Sequence, residues 1–129
     1  MASFGTLKSY ENDVQNAFDC VVAMNIKLEN LNKKRGQTNQ FIIEHRIGIH
    51  YGTCIVGNMG RKQRVEFAVI GDTVNAASRI CSACKQFGTN FLISGELAQM
   101  INYDLPSKIV SGYLIRGRNE LLDLVKIYQ

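Results

Sequence analysis

Val65-Glu66-Phe67-Ala68-Val69-Ile70-Gly71-Asp72-Thr73-Val74-Asn75-Ala76-Ala77-Ser78-Arg79 is the stretch that decides the fold. An extended run, Val65 to Ile70, meets a glycine turn and passes without a linker into helical periodicity. The spacing predicts a helix that opens at Gly71-Asp72-Thr73, runs to about Phe87 and is closed by Gly88. Ala76, Ile80, Ala83 and Phe87 fall on one side as a stripe to be buried, and Asn75, Arg79, Ser82 and Gln86 form a polar stripe. Asn75 and Arg79 are four residues apart, so their side chains rise from one face. They offer an amide and a planar guanidinium, and the latter can bind two phosphate oxygens at once. The start of such a helix also favours anions, because its first N–H groups point out of the turn. Taken alone, the pair reads more readily as a polar face in water, with Thr73 or Asp72 capping the helix.

Working outward, residues 2–5 read as the end of a strand. Val14, Ala17, Phe18, Val21, Val22, Leu28 and Leu31 give residues 11–34 a helical stripe, with Gly36 as its stop. Phe41 to His50 is predicted as an Ile-rich strand broken at Tyr51-Gly52. Thr53 to Val56 continues extended, and Gly57-Asn58-Met59-Gly60 reads as a turn. Downstream of the central helix, Phe91 to Ser94 is a short strand and Gly95 to Ile101 a short helix. Two extended segments follow, Lys108 to Ile115 and Leu121 to Tyr128, around Arg116-Gly117-Arg118-Asn119. The order β-α-β-β-α-β-α-β-β predicts an α+β fold with a largely antiparallel sheet.

Composition narrows the function classes. The 129 residues suffice for one domain, and 46% hydrophobic with 20% charged residues is a globular balance. No apolar run is long enough to cross a bilayer, and the N-terminus has no signal-peptide pattern, so no direct membrane insertion is expected, and a cytoplasmic location is, either as such or as the cytoplasmic part of a larger membrane-bound protein. The net charge of +4 is spread over Lys33-Lys34-Arg35, Arg61-Lys62, Arg64, Arg79, Arg116 and Arg118. That spread resembles no recognition helix or base-stacking motif, so no nucleic-acid partner is expected, whereas a polyphosphate needs only a few placed cations. Of the four cysteines, Cys81 and Cys84 have CxxC spacing inside the predicted helix, without a second pair or a nearby His. Packing is their expected role, as it is for His45 and His50.

Three blocks, in order, carry a resemblance. Arg46-Ile47-Gly48-Ile49-His50-Tyr51-Gly52, then Val56-Gly57-Asn58-Met59-Gly60, then Phe67 to Arg79 resemble the signature of the class III adenylate/guanylate cyclase catalytic domain. The likeness extends from about Met1 to Tyr128. It implies a ferredoxin-like cyclase fold and conversion of ATP or GTP to the 3′,5′-cyclic nucleotide and pyrophosphate, in a dimer whose site spans the interface. By this resemblance Asn75 holds the ribose and Arg79 binds the α-phosphate in the transition state. Arg116 or Arg118 would meet the terminal phosphates, or else belong to a solvated hairpin turn. The base-reading position falls on Ala68, where the family carries Asp or Thr for adenine and Cys or Ser for guanine. Alanine reads neither, so the base is left open, with a general lean to ATP.

The resemblance further implies two Mg or Mn ions held by two aspartates in the complete domain. One lies in a Phe-x-Asp-Ile motif, the other in a Gly-Asp turn before a segment like Met1-Ala2-Ser3-Phe4-Gly5. Asp13, Asp19, Asp72, Asp104 and Asp123 lie in neither motif, and Asp72 is expected to cap. The expectation is therefore a single partial cyclase domain over residues 1–129, incomplete at its N-terminus and without metal ligands. By itself it should not cyclise nucleotide, and its exposed sheet edge should invite a second copy or a complementing cyclase domain. The alternative is a non-catalytic cyclase-like dimerisation or regulatory module.

Overall fold

The computed structural model describes residues 1–61, 64–114 and 121–128. The side chains of residues 61 and 64–66 are outside that description, as are Arg116 and Arg118 altogether. The elements are α1 (Asp13–Gln37), β1 (Ile47–Ile49), β2 (Ile55–Arg61), β3 (Arg64–Ile70), α2 (Asp72–Gln86), β4 (Phe91–Ser94), α3 (Gly95–Ala98), β5 (Ser107–Leu114) and β6 (Leu121–Ile127).

Four strands form a sheet in the order β1-β4-β6-β5, and β2 and β3 form a separate hairpin. Only β1 with β4 is parallel among these pairs; the others are antiparallel, as the α+β expectation required. Because β4 alternates its side chains, it is buried on both faces. Phe91 and Ile93 join Phe18 and Val21 of α1, with Leu97, Ile101, Val125 and Ile127. Leu92 joins Ala76, Ile80, Ala83 and Cys84 of α2, with Leu122 and Leu124. The sheet is thus sandwiched between α1 and α2. Phe18 stacks on Phe91 and also meets Tyr103, which fixes α1 on its side.

Several local expectations are corrected. Residues 2–5 form no strand, the chain bending over residues 4–8; Gly5 has φ +72, and Ser3 and Thr6 bond each other at 3.1 Å. The first helix runs through Gly36, and its end comes where Asn39 adopts φ +53. Glycine at the stop position merely tolerates helix here. Leu31 lies off the core, 44% exposed.

Only Ile47–Ile49 of the Phe41–His50 strand enters the ladder. The preceding residues are held by side chains of α1 instead. Asn32 Nδ2 donates to Ile43 O at 2.8 Å while Ile43 N–H donates to Asn32 Oδ1 at 2.9 Å. Arg35 Nε donates to Phe41 O at 2.8 Å, and His45 Nε2 contacts Asn25 Oδ1. Finally, Gly57-Asn58-Met59-Gly60 is strand and not turn. Each of the four pairs with β3, from Gly57 opposite Ala68 to Gly60 opposite Val65. A glycine signals a turn only when the ladder leaves it unpartnered.

Candidate active site at the start of the second helix

β3 hands over to α2 at Gly71, which occupies the cap position. Val74 N–H and Asn75 N–H both donate back to Gly71 O, at 3.2 and 3.4 Å. Asp72 stands in the first turn, where a negative charge suits the helix dipole. Thr73 lies inside the helix and donates its hydroxyl away from it, to Thr53 O at 2.6 Å. The capping role expected for Thr73 therefore gives way to a bond with the β1–β2 link.

Ala76, Ile80, Ala83 and Cys84 are buried against the sheet, while Phe87 is only partly buried and packs edge-on to Tyr113. Cys84 takes the place in the core that the spacing assigned to Phe87. Asn75 is exposed and Arg79 half-buried, side by side along the rim of that stripe. Neither side chain has an internal hydrogen bond or ion pair among the described residues. An amide and a guanidinium so placed keep their donors available to an external acceptor. Ala68 is half-buried on β3, opposite Gly57, and faces the same side of the hairpin as Ile55, Met59 and Ile70. The structure thus brings Ala68, Asn75 and Arg79 onto one strand–turn–helix unit. The positions predicted to meet the terminal phosphates, Arg116 and Arg118, lie outside the described residues.

Cys81 and Cys84 are both free thiols that face β1. Cys81 Sγ donates to Arg46 O at 3.2 Å and Cys84 Sγ to Ile47 O at 3.5 Å. Burial, reinforced by the neighbouring Cys81, pushes the Cys84 thiol up to about 11. Such a thiol stays protonated and packs as a small hydrophobe.

Among the described residues, no group of three or more His, Cys, Asp or Glu side chains converges as a metal site. A cleft of about 480 Å³ opens between α1, residues 42–45, residues 88–90 and the end of β6. It lies at the opposite end of α2 from Asn75, and neither Asn75, Arg79 nor Ala68 lines it.

Sequence reasoning missed two features of this region. One is the Thr53–Thr73 bond, which pairs residues 20 apart and leaves no periodic trace. The other is the apolar outer side of the hairpin, where Ile55, Met59 and Ile70 are 66%, 38% and 48% exposed. Their two-residue alternation was visible, but its outward aim was not.

The family model of the adenylate and guanylate cyclase catalytic domain matches residues 1–124. The chain belongs to the adenylate and guanylate cyclase catalytic domain family. Adenylate cyclase 1 of Rhizobium meliloti is 31% identical over 113 residues, covering 88% of this chain and 17% of that protein. The adenylate cyclase of Anabaena cylindrica is 32% identical over 120 residues, covering 86% of this chain and 24% of that protein. This cyclase-domain chain thus spans a quarter or less of those two relatives. In fold it resembles the adenylyl cyclase CyaB from P. aeruginosa, with TM-score 0.82 at 24% identity over 98% of this chain and 65% of that one. The guanylate cyclase domain of RhGC from Catenaria anguillulae, solved with GTP, superposes with TM-score 0.69 at 19% identity over 97% of this chain and 64% of that one. No described helix of the cyclase chain is long and apolar enough to cross a membrane.

Proposed function

We propose that this chain supplies the Asn75–Arg79 half of a nucleotide cyclase site completed by a second cyclase domain. The product is the 3′,5′-cyclic nucleotide, and pyrophosphate leaves. The observation that carries the reading is the Asn75–Arg79 pair itself, with side-chain donors unspent among the described residues, on the helix that follows the base-reading strand. In the reaction the ribose 3′-oxygen bonds to the α-phosphorus as its bond to the pyrophosphate oxygen breaks. Asn75 orients the ribose for that attack. Arg79 meets the charge growing on the α-phosphate, through donors already in position. The exposed apolar side of the hairpin gives a second domain, or a second copy, a surface to cover. Both relatives described above are adenylate cyclases, which favours ATP.

The test mixes this chain with a metal-competent cyclase domain that lacks its own Asn and Arg. Cyclic nucleotide should form, and Arg79→Ala should lower its rate by about 10²–10³. No product at any mixing ratio would sink the proposal.

The lack of a cluster of three or more metal-ligating side chains among the described residues, together with the Ala68 methyl group, favours a second reading, a non-catalytic cyclase-like module that dimerises and regulates. It expects nucleotide binding that is independent of magnesium and weakened by Arg79→Ala. Tight binding that requires magnesium counts against it.

A further inference from the structure

We infer that Thr73 is a positioning residue for Asn75 and Arg79, acting through its hydroxyl bond to the link between β1 and β2. The inference rests on the cyclase-half reading above. α2 enters from β3 through Gly71, so its first turn follows a flexible glycine and needs another anchor. Thr73 provides it: Oγ1–H donates to Thr53 O at 2.6 Å, a short bond for a neutral hydroxyl. The neighbouring residue is shaped for this contact. A Cβ added to Gly52 would sit 2.6 Å from Thr73 Oγ1 and 3.2 Å from its methyl carbon, so only glycine leaves the threonine its seat.

The consequence for the site is geometric. Asn75 and Arg79 lie two and six residues past Thr73 on the same rigid helix. Releasing the first turn lets the helix start tilt or rotate about the buried stripe at Ala76 and Ile80. The side chains reach well out from the axis, so a small rotation displaces their donors. Misplacement by about 1 Å costs on the order of 10² in rate. Nucleotide binding is shared with the partner domain, so the loss falls on turnover and not on KM.

The experiment compares Thr73→Val, Thr73→Ser, Gly52→Ala and the Gly52→Ala/Thr73→Val double variant in the mixed-domain assay, with Asn75→Ala and Arg79→Ala alongside. Thr73→Val should lower kcat about tenfold and leave KM within about twofold, since one hydrogen bond is lost. Thr73→Ser keeps the donor and should restore most of the rate. Gly52→Ala should act in the same direction, and the double variant should be no worse than the poorer single one, the signature of a shared contact. An unchanged kcat for Thr73→Val, or a serine variant as poor as valine, overturns the inference. If Asn75→Ala and Arg79→Ala are also silent, the cyclase-half reading fails; if they abolish turnover while Thr73→Val does not, only the role of Thr73 fails. Should the wild-type mixture give no product, the cyclase-half reading fails with it, and amide hydrogen exchange on the chain alone tests the tether by itself. Thr73→Val must then speed exchange at residues 74–76 about tenfold without changing Phe18 or Leu92, and unchanged exchange at 74–76 overturns the tether.

Discussion

A Cβ built on Gly48 would lie 2.3 Å from the backbone nitrogen of Cys81, so β1 and α2 meet backbone to backbone. Neither partner can yield as a flexible side chain would, since the nearest atoms belong to the helix main chain. Gly48→Ala is therefore expected to destabilise the fold by about 3 kcal/mol. Gly36 is the control, because it is helical and an added methyl group there would meet nothing within 4 Å. Gly36→Ala should stabilise by about 0.5 kcal/mol through backbone entropy. Urea midpoints of the two variants should move in opposite directions, and a silent Gly48→Ala would refute the contact.

Asn32 clasps both the N–H and the C=O of Ile43, and so does for residues 41–46 what a neighbouring strand does elsewhere. Asn32→Ala leaves both backbone groups unmet in a partly buried place. It should cost about 2 kcal/mol and raise exchange of the Ile43 amide before that of Phe91. Equal protection at Ile43 in the variant and the parent would contradict the clasp.

The Cys84 thiol is pushed up to about 11 from its ordinary value of 9.0, chiefly by burial and then by the adjacent Cys81. Folded protein thus favours the neutral thiol. Its contribution to stability is complete below pH 9 and is lost as pH rises from about 9 through 11, because the unfolded chain ionises first. At a pH of about 8, near the ordinary thiol range, a maleimide should label exposed Cys20 rapidly and leave Cys84 unmodified, as read by peptide mass mapping. Labelling of Cys84 at the rate of Cys20 would show that the thiol is not buried.

Arg79 is proposed to act through two parallel donors, a geometry that lysine cannot reproduce. In the mixed-domain assay Arg79→Lys should therefore remain at least about tenfold below the parent although the charge is kept. Asn75 is exposed, so Asn75→Ala should shift stability by less than about 0.5 kcal/mol while cutting turnover. A lysine variant at parental rate would mean that charge alone matters at position 79.

How much could be read in advance differs between segments. The strand–turn–helix unit around Gly71 was legible because its signals are local: β-branched alternation, one glycine, then apolar residues at helical spacing. The reach of β1 was not legible. Phe41 to Ile43 have strand composition, yet their backbone is satisfied by Asn32 and Arg35 from a helix that precedes them. Gly57 and Gly60 mislead for the opposite reason, since β3 supplies partners for a segment whose composition suggests a turn.

The three motif blocks carried the resemblance to the family, while residue order and spacing were enough for the α+β order, most of the buried stripe of α2 and the placing of Asn75 and Arg79 on one helical face. The order, the stripe and the shared face follow from spacing along a regular backbone, which each segment carries within itself. Three-dimensional packing was needed to show that α1 and α2 cover opposite faces of the sheet, that the hairpin turns Ile55 and Ile70 outward, and that Thr73 is anchored to Thr53. Each of these joins residues far apart in the chain, and a contact between distant residues is fixed by packing and hydrogen-bond satisfaction across elements, which no local pattern encodes.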